Sequence, residues 1–75
     1  MVDRDEIAKR FGAVMKSLRG DRGWSGRAAA RASGMSCTYW KELELGRKSP
    51  SLHYVFAIAK AFDVTARELM ERVER

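Results

Sequence analysis

The residues that most often carry out covalent or metal chemistry are scarce in this chain. It has one cysteine, Cys37, and one histidine, His53. A single cysteine excludes an internal disulfide, and one cysteine with one histidine is too few for a zinc site. No acid–base pair, nucleophile–base set or metal cluster is recognisable in the sequence. We therefore expect no enzyme activity, no metal and no cofactor.

The chemistry that remains is electrostatic. Fifteen Lys and Arg residues outnumber ten Asp and Glu residues, which gives a formal net charge of +5 and a pI near 9.9. A basic balance on a small domain suggests an anionic partner, with nucleic acid first. Surface charge that only aids solubility explains the same sum equally well. The position of the charges has to decide between these interpretations.

The stretch from Ser25 to Glu44 predicts two short helices joined by a tight turn. Ser25 and Ser36 each precede a plausible helix start, where a side-chain oxygen accepts from an unpaired backbone N–H. Gly34 lies between the two runs, where a positive φ is needed. A helix pair with so short a turn is a helix-turn-helix, whose second helix fits the DNA major groove.

The remaining segments predict the helices that hold this pair in place. All 75 residues form one domain, with the helix-turn-helix at 25–45 and no repeats. Apolar residues at steps of three and four predict an all-α, compact five-helix domain. The predicted helices are Arg4–Arg19, Gly26–Ser33, Cys37–Leu45, Leu52–Phe62 and Ala66 to about Val73.

Several local signals set the predicted helix ends. Asp3 with Glu6, and Thr65 with Glu68, have the spacing of a capping box, and Gly46 is suited to end the third helix. Hydrophobic staples are expected between Val2 and Ile7 and between Val64 and Leu69. In the fourth helix we expect these residues to point inward: Leu52, Val55, Phe56, Ala59 and Phe62.

No apolar run approaches the length of a membrane span, and the first ten residues are too polar for a signal peptide. A soluble protein in the cytoplasm is the expectation.

The run from Ile7 to Met70 resembles the phage-repressor type of helix-turn-helix domain, the XRE or Cro/C1 family. The matching segments are LRGDRGWS (18–25), AARASGMS (29–36), TYWKELELGRKSPSL (38–52), AIAKAFDV (57–64) and TARELM (65–70). The resemblance implies the five-helix fold, double-stranded DNA as ligand and a two-fold homodimer. The length also resembles the small controller proteins of restriction–modification systems.

The resemblance also implies roles for individual residues. Base contacts carry over to Cys37, Thr38, Tyr39 and Glu42, with Tyr39 near the groove wall. Threonine can meet a thymine methyl and glutamate can accept from cytosine N4. Phosphate contacts carry over to these residues: Ser25, Gly26, Arg27, Lys41, Arg47, Lys48 and Ser49. The alternative interpretation is a solvated face on an ordinary helix.

Two residues depart from the family pattern. Gly26 stands where glutamine often reaches a phosphate, so only its backbone N–H can do so. Trp40 stands where a branched aliphatic residue is usual, and we expect the indole to fill space left by the small Ala29 and Ser33.

Arg19 and Glu44 match positions that commonly form a partly buried ion pair in the family. Their alternative interpretation is two exposed charges worth little. The two C-terminal helices carry more apolar surface than they can bury alone, which suggests a dimer interface. The candidates for it are Phe56, Phe62, Val64, Leu69 and Met70.

The sequence thus predicts a DNA-binding transcriptional regulator that binds an inverted-repeat operator as a homodimer, with no small-molecule effector. The alternative is a protein-interaction module, such as an antitoxin, in which DNA binding is secondary.

Overall fold

A computed structural model describes residues 3–75 of the chain. It contains five helices: α1 (Arg4–Asp21), α2 (Gly26–Ala32), α3 (Cys37–Glu44), α4 (Leu52–Ala61) and α5 (Ala66–Glu74). The part of the chain from 3 to 75 has no β-strand. The expected all-α five-helix fold is therefore confirmed, with α1 running two residues further than predicted. Within residues 3–75, no helix combines the length and the apolar character needed to cross a bilayer.

Each helix begins after a polar residue whose side chain accepts from the first turn. These residues are Asp3, Ser25, Ser36, Ser51 and Thr65. Thr65 and Glu68 form the complete predicted capping box. At α1, the Glu6 N–H donates to Asp3 Oδ1 at 3.4 Å as the box requires, and the Glu6 carboxylate accepts from Arg10 Nε at 3.0 Å. Val2 lies outside the described residues, so its staple with Ile7 stays a prediction.

The turn between α2 and α3 is closed by backbone hydrogen bonds. The Gly34 N–H donates to the Arg31 carbonyl at 3.1 Å, and the Met35 N–H donates to the Ala30 carbonyl at 3.0 Å. This arrangement needs the left-handed backbone that Gly34 adopts, with φ of +72°. The predicted glycine turn is therefore confirmed. Between α4 and α5 the same role falls to Asp63, a residue with a Cβ and a φ of +55°.

One apolar core joins the helices. The largest fully buried side chains are Trp40, Met15, Leu43, Ile58 and Leu69. Helix α2 packs on α3, α1 packs against both α3 and α5, and α4 packs against α5 and α2. Helix α3 is thus held from two sides, which leaves its remaining face outside the core.

The predicted inward face of α4 is partly wrong. Ala59 and Phe62 are buried as expected, but Leu52 is 73% exposed and Phe56 is 58% exposed. Ile58, which was not predicted to point inward, is fully buried. Apolar residues surround most of α4, so their spacing could not fix which side of the helix faces the core.

Helices α1 and α3 approach each other closely at Gly12. A Cβ on Gly12 would lie 2.6 Å from the Leu43 carbonyl oxygen and closer still to that of Glu44. Neither obstacle is a flexible side chain, so the helices would have to separate. We expect Gly12→Ala to lower the free energy of unfolding by about 1–3 kcal/mol, as overpacking does. Urea denaturation followed by circular dichroism measures this change.

Gly20 provides the matched control in the same helix. A Cβ there has no heavy atom within 4 Å, and the residue does not have a positive φ. Gly20→Ala should therefore stabilise the protein by about 0.4–1 kcal/mol, because alanine restricts the unfolded chain. If both variants lose stability, the close approach of α1 and α3 at Gly12 is not the cause of the destabilisation.

Candidate nucleic-acid interface

Helix α3 presents two different faces. Trp40 and Leu43 are buried, with Trp40 only 1% exposed. Cys37, Thr38 and Lys41 are exposed, whereas Tyr39 and Glu42 are half-buried. The structure thus brings together on one face the α3 residues for which the sequence predicted contacts to DNA. The buried position of Trp40 confirms the core role predicted for it.

Trp40 also occupies the space beside the start of α2. A Cβ on Gly26 would lie 3.6 Å from the indole Cδ1. The indole ring therefore borders the position where the family often carries a longer side chain. Ala29 and Ser33, the small residues expected to make room for it, are both buried in the structure.

Arg19 and Glu44 form the predicted ion pair. Arg19 Nε donates to Glu44 Oε1 at 2.7 Å and Arg19 Nη2 donates to Glu44 Oε2 at 2.9 Å. The two side chains are 25% and 15% exposed, so the pair is largely buried. The pair ties α1 to the last residue of α3.

The same carboxylate has a third partner that sequence analysis missed. Trp40 Nε1 donates to Glu44 Oε1 at 2.9 Å, one helical turn away. The hydrogen bonds from Arg19, and secondarily that from Trp40, lower the pKa of the Glu44 carboxyl, although burial opposes this. The hydrogen bond with Glu44 likewise raises the pKa of Arg19. Glu44 therefore fixes both the indole and the guanidinium.

Most of the predicted phosphate-contacting residues are exposed around α3. This group comprises Ser25, Arg27, Lys41, Arg47, Lys48 and Ser49, while Gly26 is half-buried. The Ser25 hydroxyl already accepts from the Ala28 N–H at 3.1 Å as the cap of α2. The backbone N–H groups of Ser25, Gly26 and Arg27 are the groups left to meet an anion there.

Glu42 and Arg47 contact each other. Arg47 Nη1 lies 3.3 Å from Glu42 Oε2. One had been predicted to read a base and the other to bind a phosphate. The pair offsets part of the negative charge that Glu42 adds to this surface. Arg47 keeps further N–H donors and Glu42 keeps its second oxygen, so each side chain can contact DNA while the pair is formed.

A cluster of rings lies where α3, α4 and the loop between them meet. The Tyr39 and Tyr54 ring centroids are 5.1 Å apart, and His53 packs edge-on to Tyr54 at 5.0 Å. Lys48 Nζ lies 6.0 Å from the Tyr39 centroid. Sequence analysis gave Tyr54 no role. The spacing in SCTY (36–39) and SLHY (51–54), each with a cap serine three residues before a tyrosine, was the available signal.

The structure also corrects the list of dimer candidates. Phe62 is 3% exposed and Leu69 is fully buried, so both belong to the core of the monomer. Val64 and Met70 are half-buried against that core. Phe56 is left as the large, well-exposed apolar side chain among the five candidates.

Comparison with known proteins identifies the family to which this fold belongs. A family model described as a helix-turn-helix domain matches residues 10–73. The chain belongs to the helix-turn-helix domain family. The resemblance noted from the sequence is thereby confirmed at the level of this family.

One helix-turn-helix relative is itself named as a transcriptional regulator. The HTH-type transcriptional regulator DdrOP3 from Deinococcus deserti is 35% identical over 60 residues, which are 80% of this chain and 46% of that protein. The chain thus spans about half the length of this relative.

Two solved structures have the same fold. The clp gene regulator ClgR from Corynebacterium glutamicum has a TM-score of 0.84 and 29% identity, covering 91% of this chain and 72% of that one. The restriction-modification controller protein C.AhdI from Aeromonas hydrophila has a TM-score of 0.78 and 32% identity, covering 83% and 94%.

Proposed function

We propose that this helix-turn-helix chain is a sequence-specific DNA-binding regulator of transcription. It binds an inverted-repeat operator as a homodimer, with α3 of each copy in the major groove, and acts in the cytoplasm where that DNA is accessible. The observation that carries the proposal is the division of α3 into a buried face and a polar face at its N-terminal end. The family membership and the regulator names of the three relatives support it.

The polar face of α3 has the groups needed to read base edges. The N-terminal residues of a recognition helix contact bases in the major groove. Cys37 and Thr38 occupy the first two positions of α3 and are exposed. Threonine meets a thymine methyl or a hydrogen-bonding edge. Burial of Trp40 and Leu43 holds this face in one orientation.

The cations around α3 would supply affinity and register. Arg27 at the start of α2, Lys41 on α3 and Lys48 after α3 are all exposed. Contacts of this kind with phosphates position a protein on DNA without selecting a sequence. Each phosphate that is neutralised adds about 0.9 to the slope of log K against log salt.

Phe56 supports the homodimer. Its ring is 58% exposed on α4, and Leu52, one turn earlier on the same helix, is 73% exposed. Two apolar side chains at i and i+4 lie on one helix face and form a patch suited to meet its own copy across a two-fold axis. Half-sites would then lie about 34 Å apart, one turn of DNA.

In vitro selection from a random duplex pool at moderate salt tests the proposal. Enrichment of an inverted repeat would support specific binding by a dimer and would give the half-site spacing. If the folded protein binds duplexes without enriching any, sequence specificity is wrong. If it binds no duplex at all, DNA binding is wrong, and a search for a protein partner tests the alternative of a protein-interaction module.

Thr38→Ala tests base reading on the selected operator. Loss of a base contact should weaken operator binding by about 1–3 kcal/mol and leave random DNA unaffected. Arg27→Ala is the matched control for phosphate contact, because it should weaken binding to both duplexes equally and reduce the salt slope by about 1. Fluorescence anisotropy titrations over a salt series measure both. An equal loss on the two duplexes for Thr38→Ala would exclude it from base reading.

A further inference from the structure

We propose that Tyr54, which lies on α4 and outside the recognition helix, is a positioning residue for sequence discrimination: its ring holds Tyr39 and thereby orients the first turn of α3. This inference rests on the proposed DNA-binding function. Tyr54 would set the orientation of the recognition helix through Tyr39 and would not contact DNA itself.

The two tyrosines occupy equivalent places in their helices. The Tyr39 N–H donates to the Ser36 hydroxyl at 3.0 Å, and the Tyr54 N–H donates to the Ser51 hydroxyl at 3.3 Å. Each tyrosine is therefore locked into the first turn of a capped helix. Because their ring centroids are 5.1 Å apart with the planes tilted by 51°, the contact joins the N-terminal turns of α3 and α4 directly.

This contact matters because the backbones of α3 and α4 are not close neighbours. Helix α4 packs its backbone against α5 and α2, and α3 packs against α1 and α2. Side chains must therefore bridge α3 and α4. Trp40 and Phe62, the residue that follows α4, make one bridge inside the core with their ring centroids 6.1 Å apart. Tyr39 and Tyr54, which are both half-buried, make another at the edge of the predicted DNA surface.

Lys48 extends the bridge to the loop predicted to contact phosphates. Its ammonium lies 6.0 Å from the centre of the Tyr39 ring, at the outer limit of a cation–π contact. The Tyr39 ring thus contacts α4 on one side and borders a loop cation on another. Fixing this ring relates the first turn of α3 to the loop, so that base contacts and phosphate contacts are made in one register.

The expected consequence is a loss of discrimination rather than a general loss of binding. A phosphate contact tolerates small rotations of α3, whereas a base contact requires a fixed geometry. The aromatic pair should be worth about a 3- to 10-fold preference for the oriented state. Without it, the operator loses affinity by that factor, while random DNA keeps its affinity.

The test compares Tyr54→Leu with Tyr54→Phe. Leucine keeps an apolar side chain but removes the ring, and phenylalanine keeps the ring but removes the hydroxyl. For each variant, dissociation constants are measured for the selected operator and for a scrambled duplex of equal length at one salt concentration. The readout is the ratio of the two constants. A fraction of unfolded protein lowers both affinities equally and cancels in this ratio.

We expect Tyr54→Leu to reduce the specificity ratio about 3- to 10-fold and Tyr54→Phe to leave it unchanged. In a Tyr39→Leu background, Tyr54→Leu should cause no further loss, because the two rings act as a pair. Equal weakening on both duplexes by Tyr54→Leu would show a merely structural role. Weakening of both by Tyr54→Phe would show that the hydroxyl itself contacts phosphate. Either result would overturn the inference.

The specificity ratio of the wild type distinguishes a failure of the proposed function from a failure of the positioning role. If the wild-type protein itself gives a ratio near one, the proposal of sequence-specific DNA binding is wrong, and so is the role of Tyr54 that depends on it. If the wild type discriminates and Tyr54→Leu discriminates equally well, only the positioning role is wrong.

Discussion

Replacing Glu44 with alanine is expected to lower the free energy of unfolding by about 3 kcal/mol. The substitution removes the acceptor of two hydrogen bonds from Arg19 and of one from Trp40 Nε1. Water has little access to either donor, since the Arg19 side chain is 25% exposed and Trp40 is 1% exposed. An unpaired indole N–H would then remain, together with a cation that keeps only its hydrogen bond to the Trp24 carbonyl at 3.4 Å. Urea denaturation at neutral pH measures the change.

The same network predicts a specific dependence on acid. The pKa of Glu44 is lowered from its ordinary value of 4.5 in the folded protein, chiefly by the Arg19 hydrogen bonds. A carboxyl with a lower pKa in the folded state contributes stability that is complete above the unfolded pKa and is lost as the pH falls through the folded pKa. The wild type should therefore lose stability below pH 4.5 more steeply than Glu44→Ala does.

Glu6→Ala is the control for this prediction. Glu6 also pairs with an arginine, since Arg10 Nε lies 3.0 Å away, but the Arg10 and Glu6 side chains are 45% and 57% exposed. An exposed pair of this spacing contributes about 0.3–0.5 kcal/mol. A similar cost for both variants would show that burial does not strengthen the Glu44 network.

Features that depend on a few neighbouring residues could be predicted from the sequence. The cap serines, the Thr65–Glu68 box and the turn at Gly34 each follow from local backbone chemistry, and each is present. The Arg19–Glu44 pair is distant in sequence, and only the family resemblance pointed to it.

Features that depend on how the helices rotate about their axes could not be predicted. Helix α4 is apolar on most sides, so the sequence favoured Leu52 and Phe56 as inward residues although the fold buries Ile58. Phe62 and Leu69 are among the dimer candidates because the two C-terminal helices carry more apolar surface than they can bury alone, yet the fold buries both residues. The apolar residues available for a dimer interface are those that the monomer core does not bury, and these are known only from the packed structure.

In the candidate site, too, the sequence predicts which residues face outward but not which residues of different elements meet. Its outward α3 residues follow from helix periodicity, since Trp40 and Leu43 point the opposite way. The contact between Glu42 and Arg47 depends on the path of the loop after α3, and the Tyr39–Tyr54 contact depends on the packing of α4. Neither can be read from spacing along one helix.

Phe56→Ser is expected to weaken the homodimer about 1000-fold. A large aromatic anchor at an interface contributes about 2 kcal/mol or more, and a two-fold axis presents each substitution twice. Two such losses sum to about 4 kcal/mol, and 1.4 kcal/mol corresponds to a factor of ten. Because Phe56 is 58% exposed in the monomer, its loss should leave the fold intact. Sedimentation equilibrium of the wild type and the variant measures the dimer constant.

Ile7→Ser is the matched control, because Ile7 is also exposed, at 41%, but lies on α1. It should leave the dimer constant unchanged if the interface is formed by α4. A two-fold dimer also makes operator binding depend on the square of the monomer concentration below the dimer constant. Phe56→Ser should therefore make operator binding rise with the square of the protein concentration, whereas Thr38→Ala should shift the binding curve to higher concentration without changing its steepness. A wild type that stays monomeric, or a dimer disrupted by Ile7→Ser and not by Phe56→Ser, would refute this interface.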